Sequence, residues 1–450
     1  MPTVPDHPQG GFRASLALVR DNRDFRRVYG ASLISLGGDW FLTVALFSLV
    51  LQYSGSGIAV AMVIAVQDLT FFIASPFTGV LADRLDRRLL MIATDVIRAL
   101  VCLGFLFVRG PDTVWILYAV VAVLALFSAA FEPASLAALP NLVDPDDLGT
   151  ANALTGSAWG TMLVVGAGLG GLISGVFGND VAIIVDAVSF GVSALLVVGV
   201  HRSFAEGNVR AGEHPGIVEA TRETARYARA DHRVLALIAV KFGWGLAGGV
   251  LALIPLLVKR SFHGGDVALG VVMAFRGLGA LIGPFTARRL LGTGDRRLFQ
   301  AIGISLAVFG VGYALVGWVP GLLLALPAVT IAHLGGGAQW MLSSYGLQKI
   351  VPDRIRGRIF AFDGMLVTLT FGISSLMTGW LADTVGPRET AWILGGTAVV
   401  WAGLWSWLTT DVRRATLANG CDPAPPEPLA VAGLVGGRRW PPPNPRVRSY

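Results

Sequence analysis

Charge is what this 450-residue sequence has least of: Asp, Glu, Lys and Arg together make up 14% of it, against 54% hydrophobic residues. A soluble domain carries about 25% charged residues, because water must solvate most of its surface. With a mean hydropathy of +0.65, the deficit is too large to hide in one core, and the solvent for most of the chain is expected to be lipid. Cysteine is nearly absent. Cys102 lies in an apolar run and Cys421 in a polar tail, environments too different for a structural disulfide, and no CxxC occurs to hold zinc. No Gly-Lys-[Ser/Thr] occurs, which excludes a P-loop and ATP-driven work by this chain alone, and HExxH is missing as well. The one aspartate-rich stretch, Asp144-Pro145-Asp146-Asp147, is single where metal-diphosphate chemistry wants a pair, and it reads as a loop and helix start. These absences argue against an enzyme, and no cofactor or metal is expected.

What is present is a series of apolar runs, each of the roughly 20 residues that a membrane crossing needs. We place twelve spans at 28–52, 57–82, 89–108, 113–138, 149–176, 180–200, 234–258, 266–287, 298–318, 321–346, 359–381 and 389–409. Residues 1–27 hold Arg13, Arg20, Arg23, Arg26 and Arg27 with no long apolar core and no small-residue cleavage site, so they read as a basic, partly amphipathic lead-in. Of the 35 Lys and Arg residues, 28 fall in the termini and even-numbered loops and 4 in the odd-numbered loops. By the positive-inside rule both termini are cytoplasmic. The basic balance is then topology with some contact to anionic lipid, and nucleic acid drops out as a partner. The central loop, 201–233, contains Glu219 and Glu223 spaced against Arg222, Arg226 and Arg229, and is expected to form an amphipathic helix on the cytoplasmic face. The Pro- and Arg-rich segment 411–450 is expected to be disordered.

The two halves echo each other at an offset of about 205 residues, the weak symmetry of repeat-built transporters. Gly79-Val80-Leu81-Ala82-Asp83-Arg84 ends span 2, and a degraded counterpart, Gly283-Pro284-Phe285-Thr286-Ala287-Arg288, ends span 8. Pro145-Asp146-Asp147-Leu148 leads into span 5, and Pro352-Asp353-Arg354-Ile355 leads into span 11.

The 79–88 run resembles the loop 2–3 signature of the major facilitator superfamily, with Asp86 at the usual second glycine. Gly38-Asp39, Asp95-Val96-Ile97-Arg98, Phe131-Glu132-Pro133-Ala134, Ala151-Asn152-Ala153 and Asp186-Ala187-Val188-Ser189-Phe190 are similar to the branch that holds enterobactin exporters and macrolide-efflux proteins. The resemblance covers about 28–410. It implies an all-α polytopic membrane protein of the major facilitator fold, with twelve helices in two pseudo-symmetric six-helix bundles, 28–200 and 234–410. It also implies a bacterial inner-membrane location and export of amphiphilic small molecules, a drug or a siderophore-like product, coupled to proton entry. Gly166-Ala167-Gly168-Leu169-Gly170-Gly171 is similar to the antiporter motif of the superfamily with Ala167 in place of proline, and reads equally as close helix packing through small residues.

The gate is expected at Gly79, Asp83, Arg84, Arg87 and Arg88. A carboxylate at the end of span 2 suits the dipole of a neighbouring helix, and arginines offer several donors each to carboxylates and carbonyls. Such a cluster would latch the two halves on the cytoplasmic side, or simply anchor span 2 at the headgroups.

An ionisable side chain at membrane depth is costly and usually faces a cavity or a partner. The resemblance implies that spans 1, 4, 7 and 10 line the central cavity, which makes Asp39, Glu132, Lys241 and His333 its candidates. Asp39 lies roughly 16 Å of helix rise from the cytoplasmic end, near the midplane. Proton carrier, hydrogen-bonder beside Gly37-Gly38 and substrate contact are three readings open to it. Glu132 either accepts a proton or, as slightly favoured, pairs with a gate arginine. Lys241 reads as a counter-charge for Asp39 or a contact for anionic solutes, and Arg276 is similar. His333 reads as a satisfied polar side chain that titrates in a useful range. Asp95 and Arg98, three apart, share a helical face and form a structural ion pair, or Arg98 bridges to the gate. Asp186 reads as packing, and Asp68 and Asp363 carry no role. Trp40, Phe41, Phe71, Phe72, Phe127, Trp159, Trp244, Trp340 and Phe371 would line an aromatic cavity suited to amphiphiles, or serve lipid faces and interfacial belts. The expected partners are thus an amphiphilic small molecule, protons and the bilayer, with the protein monomeric. Uptake or uniport by the same fold, and a receptor that binds without moving solute, are the rival functions.

Overall fold

The computed structural model describes residues 12–202, 204, 217–291 and 295–411. Span 1 runs Arg23–Ser54, span 2 Gly57–Arg84, span 3 Arg87–Cys102 with a 3-10 continuation Leu103–Phe107, span 4 Val114–Leu142, span 5 Leu148–Phe177 and span 6 Asn179–Val198. Span 7 is made of His232–Leu246 and Val250–Leu256, followed by span 8 Asp266–Leu291, span 9 Asp295–Trp318, span 10 Leu322–Ile350, span 11 Asp353–Thr384 and span 12 Pro387–Leu408. All twelve are long and apolar enough to cross a bilayer, and a helix lets most backbone polar groups bond within the segment, as hydrocarbon demands.

Local chemistry sets the helix ends. Asn22 caps span 1, its side-chain oxygen accepting from the Phe25 amide at 2.9 Å, so the span begins five residues before the expected 28. Asp86 accepts from the Leu89 amide at 2.8 Å and caps span 3, which gives the departure from the glycine of the superfamily signature a structural use. The turns after spans 1 and 11 close on Gly55 and Gly386, both at positive φ (62° and 107°), a region glycine enters without a Cβ penalty. Span 7 is interrupted around Gly248-Gly249 and, past Pro255, ends in a π turn, Leu257–Ser261; proline removes a helix hydrogen bond and π turns absorb the mismatch.

Spans 1–6 and 7–12 form two bundles, joined where span 5 packs on span 8 and span 2 on span 11. The glycine run of span 5 works at both kinds of contact. A Cβ at Gly170 would collide with the Phe41 carbonyl of span 1, and one at Gly171 with the Gly270 backbone of span 8. Large apolar side chains such as Leu195, Leu323 and Val400 are exposed around the outside, where lipid is their solvent.

Two amphipathic helices flank the bundles. Phe12–Asp21 packs Leu18 against Leu139, Val143 and Ala151. Ile217–Ala230 buries Thr224 and Ala228 against the first turns of spans 7 and 11, and Glu223 pairs with Arg358 at 3.4 Å. Residues 205–216 of the central loop and 412–450 of the expected disordered tail lie outside the described residues.

Candidate functional site

The polar residues inside the membrane collect in three groups. In the N-terminal bundle, Ser35 and Asp39 are four apart on span 1, and Asp95 and Arg98 three apart on span 3, so each pair shares a helical face. Arg98 sits between them. Its Nη2 donates to Asp39 Oδ1 at 2.7 Å, and its Nη1 to Ser35 Oγ at 2.7 Å and Asp95 Oδ1 at 3.3 Å. The guanidinium carbon stands 3.9 Å from the centroid of the Phe190 ring. Arg98 and Asp95 are sealed, with side chains 1% and 0% exposed, while the Asp39 side chain is 39% exposed. The expected Asp95–Arg98 pair is therefore one arm of a larger set, whose outer acid is Asp39. Asp186 lies against span 1 at Gly38 and accepts from Ser189 Oγ at 3.3 Å. Glu132 is exposed, within reach of the charge on Asp39. The side chain of Arg84, one of the gate arginines expected to pair with Glu132, lies outside the described residues.

In the C-terminal bundle, Lys241 does not serve as counter-charge to Asp39. Its ammonium donates to Asp363 Oδ2 of span 11 and, at 2.9 Å, to Ser344 Oγ of span 10, and lies 4.6 Å from the Trp340 ring centroid. Arg98 already occupies Asp39, and Asp363 lies nearer to Lys241 within its own bundle. Trp244 packs on Trp340 and Phe371 at centroid distances of 5.5 and 4.8 Å. His333 is buried and shares a hydrogen bond of 2.8 Å with the Tyr313 hydroxyl.

Between the bundles, Arg276 of span 8 reaches across to span 1, its guanidinium carbon 5.4 Å from the Trp40 ring centroid. Trp40 in turn meets Trp159 edge to face at 5.7 Å. Asp68 of span 2 faces Gly372 of span 11. Of the expected aromatic wall, Phe41 is instead buried in helix packing at 7% exposure.

At the membrane face carrying the odd-numbered loops, two carboxylates tie the bundles together. Asp383, at the end of span 11, accepts from Ser56 Oγ (2.9 Å), the amides of Gly57 (2.7 Å) and Ile58 (3.1 Å), and Arg260 Nη1 (2.8 Å). Asp266, opening span 8, accepts from Ser48 Oγ at 2.6 Å, Ser174 Oγ at 3.1 Å and the Lys259 ammonium. Arg260 also donates to the Gly55 carbonyl. The molecule is thus shut on this face. Sequence reasoning passed over this latch. Its one signal was that Lys259 and Arg260, two of the four basic residues on the charge-poor side, lie next to the acid that opens span 8.

At the opposite face, Arg87 Nη1 donates to the carbonyls of Ala137 (2.9 Å) and Phe204 (3.2 Å), and Arg88 to that of Val198. Ala137 lies in the last two turns of span 4, Val198 ends span 6 and Phe204 follows it, and the negative end of a helix dipole attracts cations. Gly79, Asp83 and Arg84 belong to span 2, but their side chains lie outside the described residues.

The sequence model of a family described as "transmembrane secretion effector" matches residues 14–429. Macrolide efflux protein A of Streptococcus pyogenes is 24% identical over 406 residues, covering 87% of this chain and 97% of that one. Multidrug efflux pump Tap of Mycolicibacterium fortuitum is 25% identical over 374 residues, covering 80% and 89%. Among solved structures, a bacterial homologue of the human lysosomal transporter Spinster, inward-facing and unoccupied, superposes with a TM-score of 0.69 at 14% identity over 92% of this chain and all of that one. The nucleoside transporter NupG superposes with a TM-score of 0.67 at 14% identity over 86% of this chain and all of that one. At such identities the two structures speak for the fold alone.

Proposed function

We propose that this chain, which belongs to the transmembrane secretion effector family of the major facilitator superfamily and is a transporter rather than an enzyme, exports amphiphilic small molecules in exchange for protons. The observation that carries the proposal is the Asp39–Arg98 pair: a sealed guanidinium whose acid partner is itself 39% exposed. An ion pair in low dielectric is held by its own attraction, and losing the charge on one partner releases the other. A proton arriving at Asp39 would thus free Arg98 to shift toward Asp95, only 3.3 Å from its Nη1. Since Asp39 belongs to span 1 and Arg98 to span 3, the change is felt between helices, where a rocking motion begins. The wider group holds Asp39, Asp95 and Asp186 around one guanidinium, more acid than base, and so has a place for a proton without gaining an uncompensated charge.

Export is supported by what the two curated relatives are called, and an amphiphilic cargo by the half-open aromatic wall of Trp40 and Trp159. The latch of Asp266 and Asp383 then belongs to the outer face, both termini to the cytoplasm of a bacterium, and Arg87 and Arg88, whose bonds hold spans 3, 4 and 6 of the first half together in this state, to the inner face. The protein works as a monomer, each bundle being one half of the moving pair.

The test is proton counterflow in everted membrane vesicles with an acid-inside gradient. A macrolide, ethidium and a catecholate siderophore are added in turn while a pH-sensitive dye is followed. Wild type should release the gradient with at least one compound, and Asp39→Asn with none. Equal responses would remove Asp39 from coupling. Silence of wild type toward the whole panel, with the protein present in the membrane, would overturn proton-coupled export.

A further inference from the structure

Among the described residues, Arg276 is a basic side chain inside the membrane that has no counter-ion. Arg98 has Asp39 and Asp95, and Lys241 has Asp363. Arg276 is 9% exposed, its Nε and Nη1 are buried with no hydrogen-bond acceptor, and no carboxylate pairs with it among the described residues. Its known company is the Trp40 ring across the bundle interface and, within electrostatic range in its own bundle, Tyr313 and His333, which are already bonded to each other. Arginine does not shed its proton in proteins, so the charge is permanent. A buried permanent charge left uncompensated is among the costlier features a fold can keep, and intramembrane charges of this kind mark solute pathways.

From these residues we infer that Arg276 receives the anionic group of the transported compound, a carboxylate or phosphate ester on an aromatic or apolar body. The planar fork of a guanidinium matches such oxyanions with two parallel hydrogen bonds. Trp40 lies beside it and Trp159 stands edge to face against Trp40, together a wall for the apolar body, and Trp159 is 46% exposed. The depth of the site favours cargo over lipid. Arg276 is ten residues into span 8 from Asp266, roughly 15 Å of helix rise, which is bilayer midplane rather than headgroup level. Because Arg276 spans to the other bundle, an anion bound there replaces a contact that holds the two halves together.

The inference takes the export reading above as its setting but is tested without transport. The purified full chain in neutral detergent is titrated with N-dansyl-leucine and with its methyl ester, following energy transfer from tryptophan to dansyl. The acid should bind about tenfold or more tightly than the ester, as expected for gain of a charge-assisted bidentate contact. Arg276→Gln should abolish that preference, and Arg276→Lys should keep its sign at reduced size. Thermal melting of the variants confirms folding; if Arg276→Gln does not fold, wild type and Arg276→Lys decide. Equal binding of acid and ester by wild type, or an undiminished preference in Arg276→Gln, would overturn the assignment. Anion-selective binding alongside a silent counterflow assay would retire proton-coupled export and leave this site standing; the reverse pattern would retire the site alone.

Discussion

Replacing Asp383 by asparagine should partly open the odd-loop face. The carboxylate accepts four hydrogen bonds, three of them from Ser56, Gly57 and Ile58 at the start of span 2 and one from Arg260. Asparagine keeps one acceptor oxygen, loses the charge, and turns an amide donor toward groups that also donate. The loss works out at two charge-assisted bonds of about 1.5–3 kcal/mol each. That figure is discounted because the Asp383 and Arg260 side chains are 28% and 30% exposed, and exposed ion pairs contribute at most about 1 kcal/mol. A net cost near 2 kcal/mol moves a two-state equilibrium about thirtyfold, so a closed-to-open ratio of about 30:1 would become roughly 1:1. The assay is a spin–spin distance between Asp112→Cys on one bundle and Pro320→Cys on the other, both exposed at this face, with Cys102 and Cys421 replaced. Wild type should give one dominant short distance, and the Asp383→Asn background a second, longer population of comparable weight. An unchanged distribution would refute the assignment of Asp383 as a latch, whatever its contacts in the closed form.

Arg98→Ala should be the most destabilising of the charge deletions, since it strands Asp95, which is fully sealed, together with Asp39; breaking a buried pair costs about 3–5 kcal/mol. Thermal melting in detergent should place it well below Asp39→Asn, which leaves Arg98 its bonds to Ser35 and Asp95, and equal melting of the two would count against the shared-guanidinium picture. Lys241 and Asp363 should behave as a unit: Lys241→Met and Asp363→Leu should each destabilise, while the double variant recovers much of the loss, because two apolar side chains of similar volume replace a buried pair at little net cost. Simple additivity in that double-mutant cycle would show that the pair contributes nothing through its own contact.

Much of this architecture was legible in the chain. Length and composition of apolar runs report helices directly in lipid, because each helix satisfies its own backbone and needs no partner segment to do so. Pro145 leading into span 5 is likewise a local signal, whereas the caps at Asn22 and Asp86 were not read, and span 1 begins before its expected start for that reason. Even the Asp95–Arg98 spacing announced two side chains that share a face. Pairing across helices was a different matter. In the sequence, only Asp39 was weighed as an acid for Lys241 and Asp363 carried no role; that Asp363 is the partner depends on the distance between helices far apart in the chain, which no periodicity encodes.

What the sequence determined by itself, then, is the number of spans and the presence of costly charges at depth, which follow from the free energy of moving residues one at a time from water into hydrocarbon, while the family motifs were read by resemblance. Only the tertiary structure decided which charges neutralise one another, that Asp266 and Asp383 shut one face, and that Arg276 stands against Trp40 without a counter-ion among the described residues. Those outcomes depend on how two bundles lean together, a relation set by side-chain packing and a few hydrogen bonds across their interface rather than by the transfer energy of any residue.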